Sequence, residues 1–269
     1  MSVRVVAEIG SVHDGSLGNA LRLVDLAAES GADAVKFQIH CEGDVAGDGS
    51  CPDWFTGEDR ASYFRRTGFT IGVWGKIKAH AESIGLGFLT SVFSLRGVEV
   101  AEAIGVAEYK IPSGQVTNLP LLRKIAETGN PVLLSTGMST WAEMDAAMEC
   151  FPWATVLQCT SEYPCAEEHV GLNVLKELRV RYGCPVGLSD HTLTNYASFA
   201  AVVLGATVIE RHLTFSRKMY GSDAGHSLEP AEFAEGVRGI RSIERMLAAP
   251  INKDEIGHLS EVRRVFLHA

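Results

Sequence analysis

Lys36 and Lys110 stand in the apolar runs DAVKFQI and AEYKIP, which read as strands, so apolar stems would hold their ammonium groups over one place. Hydroxyls fall at comparable positions in other runs: Ser91, Ser113, Ser135 and Ser189. Cations with converging hydroxyls suit a phosphate or a carboxylate, because each anion accepts several charge-assisted hydrogen bonds. The rival chemistry is a Schiff base, in which a desolvated lysine attacks a carbonyl. Anion binding accounts better for two lysines, since both gain from one anion. His191 in VGLSDHT and His212 in VIERHLT follow consecutive apolar runs, so their imidazoles can meet on one cation with Glu8 or Asp223 nearby. Imidazoles with a carboxylate and open positions suit Mn²⁺, Zn²⁺, Co²⁺ or Fe²⁺. The first run, VRVVAEI, lacks an HxH pair, which argues against metal-dependent amide hydrolysis.

Any one of these residues alone reads as a wet strand end; their meaning depends on the elements that carry them. Strands are expected at 3 to 9, 33 to 39, 86 to 91, 107 to 112, 131 to 136, 155 to 160, 185 to 189 and 206 to 210. Helices are expected at 17 to 30, 70 to 84, 94 to 104, 118 to 128, 139 to 149, 171 to 182, 194 to 204 and 230 to 248. Apolar runs alternating with amphipathic stretches give parallel strands with crossover helices. Eight such units predict an α/β fold, the TIM (β/α)8 barrel, ahead of a doubly wound open sheet. Local chemistry agrees: Thr140 with Glu143 reads as a capping box, Asn118 as a cap before Pro120, and Gly31 as a helix stop. In such a barrel the reacting groups sit at the C-terminal strand ends. All eight ends carry polar residues: Glu8, Lys36 with Gln38, Ser91, Lys110 with Ser113 and Gln115, Ser135, Ser161 with Tyr163, Ser189 with His191, and Glu210 with His212. The segment from 41 to 69 exceeds an ordinary loop and is expected to cap the barrel mouth.

Composition narrows the partners. The 269 residues carry 24 Lys plus Arg against 33 Asp plus Glu, a net charge of -9 with no basic stripe, which excludes nucleic acid as the expected partner. No signal sequence or membrane span is visible, so a cytoplasmic protein with no membrane partner is expected. Six cysteines without a CxxC pair read as free thiols.

The motifs AEIGSVHDG, ADAVKFQ, YKIPSGQVTNLPLL, PVLLSTGMS, LQCTSEYPC, VGLSDHT, VIERHLT and GSDAGHSLEP resemble, in order and spacing, the sialic acid (N-acetylneuraminate) synthase family. The resemblance spans roughly residues 3 to 248. It implies a metal-dependent enzyme that condenses phosphoenolpyruvate with an aldose or amino-sugar aldehyde resembling N-acetylmannosamine, releasing phosphate and a nonulosonic acid. It implies that Lys36, Lys110, Ser113, Ser135 and Ser189 hold phosphoenolpyruvate, with Ser91 where the family usually has Thr. It further implies that His191 and His212 bind a divalent cation, Mn²⁺ foremost and Mg²⁺, Co²⁺ or Zn²⁺ as alternatives. Glu8 and Gln38 would approach the sugar, Tyr163 and Asp223 would shape its site, and Glu8, Lys110 and position 115 would serve catalysis. A homo-oligomer, dimer or tetramer, is expected. The chain departs from the family in Gln115, where Glu is usual and where restoring Glu is expected to raise turnover. It departs also in Ser161, where Asn is usual in a contact with substrate, and in SVHDG for an INHNG-like run. Family members continue into a small antifreeze-like domain, so a barrel over 1 to 249 without that domain is expected, followed by a tail over 250 to 269. A Schiff-base aldolase and a non-catalytic sugar-phosphate binding barrel are the alternative readings.

Overall fold

The computed structural model describes residues 2 to 41, 43 to 44, 58 to 255 and 257 to 267. Eight parallel strands close in sequence order: β1 (Arg4–Gly10), β2 (Ala34–Ile39), β3 (Gly87–Val92), β4 (Tyr109–Ile111), β5 (Val132–Ser135), β6 (Thr155–Cys159), β7 (Val186–Asp190) and β8 (Val208–His212). Closure comes from β8 pairing with β1, where Glu8 faces His212 across the ladder. These strands are apolar on both parities because both of their faces are buried. The outward parity, such as Val35, Phe37 and Ile39, packs in the main core together with apolar residues of the helices. The inward parity forms a separate plug of Val6, Ala34, Leu89, Leu133, Leu157 and Val208. Gly187 of β7 completes it, since a Cβ there would lie 2.4 Å from the Val208 carbonyl and 2.6 Å from Leu157.

The surrounding helices are α1 (Leu17–Glu29), α2 (Arg60–Thr67), α3 (Ile71–Ser83), α4 (Leu95–Ala103), α5 (Leu119–Ala126), α6 (Trp141–Cys150), α7 (Val174–Tyr182), α8 (Tyr196–Val203), α9 (Pro230–Ala248) and α10 (Ser260–Phe266). The Thr140 and Glu143 capping box starts α6, and Asn118 caps α5 by accepting from the Leu121 N–H. Most strand limits lie within one residue of the sequence expectation, and β4 and β8 depart from it by two. Strand β4 is only Tyr109–Ile111, because Pro112 ends its ladder, and β8 runs on to His212 because β1 continues to pair with it. Helix α7 begins at Val174, after Gly171 at φ +68°, a conformation that does not start a helix.

The expected cap over 41 to 69 includes α2, while residue 42 and residues 45 to 57 lie outside the described residues. Asp59 starts α2 by accepting from the Ser62 N–H, and Tyr63 and Thr67 bury one side of it. Tyr63 reaches Ser11 after β1 and Ser222 after β8, so α2 lies at the C-terminal mouth. Among the described residues no helix is long and apolar enough to cross a membrane. The described cysteines are free, and Cys51 lies outside the described residues.

Candidate active site

Strand alternation builds the site. Side chains of one parity recur every two residues, so stepping up by two from the apolar plug gives the next inward layer. Val6 leads to Glu8, Ala34 to Lys36, Leu89 to Ser91, Leu133 to Ser135, Leu157 to Cys159, Gly187 to Ser189 and Val208 to Glu210. One more step gives Gln38, His191 and His212. A cavity of about 90 Å³ is bounded by Glu8, Lys36, Gln38, Lys110, Pro112, Ser113, Ser135, Cys159, Tyr163, Ser189, His191, Glu210, His212 and Asp223. Most of the residues singled out in the sequence therefore face one space. A larger groove of about 1050 Å³ between Trp141, Val180 and Leu204 lies on the outer helices and gathers no comparable chemistry.

Glu210 is the hub. Its Oε1 accepts from Lys110 Nζ at 3.0 Å and from the Ser189 hydroxyl at 2.9 Å, and its Oε2 lies 3.2 Å from Lys36 Nζ. Lys36 also lies 3.3 Å from Glu8 Oε2, and Glu8 Oε1 accepts from Gln38 Nε2 at 2.7 Å. All four charged groups are buried, which makes each depend on the others. Burial pushes the Glu8 carboxyl up to about 7, with Glu210 adding and Lys36 and Gln38 opposing. Burial also works to raise Glu210, but Lys110 and Lys36 outweigh it and hold that carboxyl well below the usual range. Burial likewise lowers Lys110, helped by Lys36 and opposed by Glu210, whereas for Lys36 the two carboxylates overcome burial and raise it. Lys36 and Lys110 thus face one firmly ionised carboxylate, Glu210, and one carboxyl, Glu8, whose charge changes near 7.

Hydroxyls left over in this layer point to a ligand. Ser91 Oγ and Ser135 Oγ are buried without a hydrogen-bond partner among the described residues. Ser113 accepts from the Gly137 N–H at 3.0 Å and donates to Cys159 Sγ at 3.6 Å. A Cβ at Gly137 would lie 2.3 Å from both the Ser113 and Ser161 oxygens, so glycine is what lets the backbone N–H approach this pair. Ser91 stands in the inward layer, and neither it nor Ser161 bounds the cavity. Tyr163 forms its rim, its ring 4.1 Å from that of His191, and Asp223 accepts from the Ser11 N–H at 2.8 Å.

Gln115 stands apart from this layer: its Oε1 accepts from Asn118 Nδ2 at 2.9 Å, and the residue does not bound the cavity. It forms the short 3₁₀ turn Ser113–Gln115 before α5, which turns the side chain toward the helix cap.

The His191 and His212 rings stand 5.5 Å apart, centroid to centroid. His191 Nδ1 bonds to the Thr160 carbonyl at 2.8 Å, which places a proton there and leaves Nε2 with a lone pair. Burial, with His191 adding, holds His212 well below the usual imidazole range, and its Nδ1 is buried without a partner. For His191 the neighbouring Cys159 thiol outweighs burial and raises the imidazole. Two imidazoles beside carboxylates fit a borderline divalent cation. Among the described residues no group of three or more His, Cys, Asp or Glu is placed to hold a metal ion.

Sequence reasoning gave no site role to Glu210 or Cys159. Both occupy the inward parity, two residues beyond a plug residue, and that alternation is the signal that could have found them.

The profile of the NeuB family matches residues 23–252. The chain belongs to the NeuB family. Within that family it is 36% identical over 262 residues to the N,N'-diacetyllegionaminic acid synthase of Campylobacter jejuni, covering 93% of this chain and 78% of the relative. It is 35% identical over 258 residues to the N-acetylneuraminate-9-phosphate synthase of Homo sapiens, covering 91% of this chain and 71% of the relative. The crystal structure of the N-acetylneuraminic acid synthetase from Leptospira borgpetersenii superposes with a TM-score of 0.85 at 28% identity, over 100% of this chain and 94% of that one. A truncated 3-deoxy-D-arabino-heptulosonate 7-phosphate synthase from Thermotoga maritima shares the barrel, with a TM-score of 0.71 at 15% identity over 93% of this chain and 90% of that one.

Proposed function

We propose that this NeuB-family barrel condenses phosphoenolpyruvate with an aldose or amino-sugar aldehyde to a nonulosonic acid, with release of phosphate. The observation that carries the reading is the inward layer in which Lys36, Lys110, Ser135 and Ser189 meet beside His191 and His212. Lys36 and Lys110 hold the anionic groups of phosphoenolpyruvate, exchanging part of their bonding to Glu210 for the ligand. The unpartnered Ser135 hydroxyl and the Ser113 hydroxyl complete the cradle, with the unpartnered Ser91 hydroxyl in the same inward layer. Above them, Gln38, Tyr163 and Asp223 orient the acceptor.

C3 of the enolpyruvate attacks the aldehyde carbon, and the aldehyde oxygen gains a proton. Water adds at C2 and loses a proton, and the tetrahedral intermediate collapses with loss of phosphate. Glu8, buried and poised near 7, is the group at hand to give the first proton and take the second at its carboxyl oxygens. His191 and His212 would hold a divalent cation, Mn²⁺ foremost, which when bound supplies Lewis-acid polarisation of the acceptor carbonyl. A cytoplasmic location and a homo-oligomeric assembly belong to the same proposal.

Incubation with phosphoenolpyruvate and a panel of aldoses, with mass spectrometry of the products, tests the reading. A keto acid combining both substrates is expected. The lowered Lys110 favours the Schiff-base reading as the second one, and borohydride trapping of a keto acid on either lysine would select it.

A further inference from the structure

His40 lies just beyond β2 and does not bound the catalytic cavity. Its ring is stacked between Phe64 of α2, at 3.9 Å, and Phe93 after β3, at 4.1 Å. Burial, with Arg60 and His13 adding, holds the imidazole down to about 3, so it is neutral and carries one N–H. His40 Nε2 is 3.1 Å from Gln38 Oε1, and Gln38 Nε2 is 2.7 Å from Glu8 Oε1. His40 Nδ1 is buried with no partner among the described residues, so the proton belongs on Nε2, where an acceptor stands. The reverse orientation of Gln38 would press its NH2 against the imidazole N–H, and its oxygen against Glu8 whenever that carboxyl is ionised. The chain of donors thus runs one way, from His40 to Gln38 to Glu8.

We propose that His40 is a positioning residue which locks the Gln38 amide with its NH2 group toward Glu8 and the cavity, and so fixes the acceptor contact made there as a hydrogen-bond donor. The sugar acceptor must then present an oxygen to Gln38, a hydroxyl or a carbonyl, and an acceptor offering an N–H at that point is rejected. An amide free to rotate would accept either. Because one face of the His40 ring rests on Phe64, α2 holds the ring that makes this selection.

The acceptor part of this proposal rests on the condensation reading, whereas the orientation of Gln38 is testable without it. The chain has three glutamines, Gln38, Gln115 and Gln158, so ¹⁵N-glutamine labelling yields three side-chain NH2 signals, assigned by Gln38→Leu. The Gln38 amide protons are expected to exchange slowly in the wild-type protein and at least about tenfold faster in His40→Phe, which keeps a ring between Phe64 and Phe93 but has no N–H. Rapid exchange in the wild type overturns the assignment with no substitution needed. In kinetics, His40→Phe is expected to raise KM for the aldose about tenfold, the effect of one hydrogen bond, and to leave KM for phosphoenolpyruvate within about twofold. In the Gln38→Leu background the same substitution should change aldose KM by less than about twofold, because His40 acts only through Gln38. An equal loss in both backgrounds, or equal effects on both substrates, marks a merely structural role and overturns the proposal. A wild-type protein that condenses no aldose refutes the condensation reading, and the amide exchange still decides the role of His40.

Discussion

Replacing Glu210 by Gln removes one negative charge from between two buried ammonium groups while keeping the shape of the side chain. At 3.0 Å from Lys110 and 3.2 Å from Lys36, each pair carries about 5 kcal/mol of Coulomb attraction at an effective dielectric constant of ~20. The cost of desolvating the carboxylate offsets part of that, and breaking a buried pair by removing one partner typically costs about 3 to 5 kcal/mol. Glu210→Gln should therefore be less stable than the wild type by that amount in urea unfolding without ligand. The same charge repels any anion held by the lysines. At roughly 8 Å the repulsion is about 2 kcal/mol with the same dielectric constant, so losing it should tighten inorganic phosphate binding about tenfold or more. Titration calorimetry with phosphate measures the affinity, and unfolding at saturating phosphate should recover part of the lost stability in the variant. Unchanged stability together with unchanged phosphate affinity would refute the account of Glu210 as the counter-charge of an anion site.

Gln115→Glu should leave turnover within about twofold, because the side chain faces Asn118, and should add about 0.3 to 1 kcal/mol by placing a carboxylate near the N-terminus of α5; a large gain in turnover would return position 115 to proton transfer. His212→Ala should abolish Mn²⁺ binding in calorimetry with the fold retained by circular dichroism; intact binding would move the cation elsewhere. Burial lowers His13 to about 4. Below 6.5 the unfolded chain therefore takes up a proton that the folded chain refuses, so stability is complete above 6.5 and is lost as pH falls toward 4, by about 3 kcal/mol. His13→Asn, which can still accept from the Gly15 N–H, should flatten that limb of the profile of Tm against pH, and an unchanged limb would assign it to other groups.

The barrel was legible because its strands repeat a pattern fixed by burial on both sides, with turns and caps such as Thr140 and Asn118 marking the helices between them. Lys36, Lys110, Ser135, Ser189, His191 and His212 were legible for the same reason, each being polar at the end of an apolar run. Cys159 was not, since a buried thiol looks apolar in sequence and gains its meaning only beside His191 and Ser113. Burial would raise that thiol, yet His191 and Lys110 bring it down to about 7. Glu210 was visible at a strand end, but its bridging of both lysines depends on barrel closure, which sets side by side residues 174 and 100 positions apart. For Gln115 the resemblance implied a catalytic position, whereas the turn Ser113–Gln115 directs its side chain to Asn118 at a helix cap, an arrangement set by local backbone that the motif alone does not display.

In the proposed reaction Lys36 and Lys110 hold phosphoenolpyruvate while its C2 is converted to the keto carbon, with phosphate leaving as a unit. Phosphoenolpyruvate labelled with ¹⁸O in the bridging position, incubated with the protein, an accepted aldose and Mn²⁺, tests this by the masses of both products. The account predicts the label in the released phosphate and unlabelled keto acid, one phosphate for each. Label retained in the keto acid would mean that the P–O bond breaks, and would contradict the account.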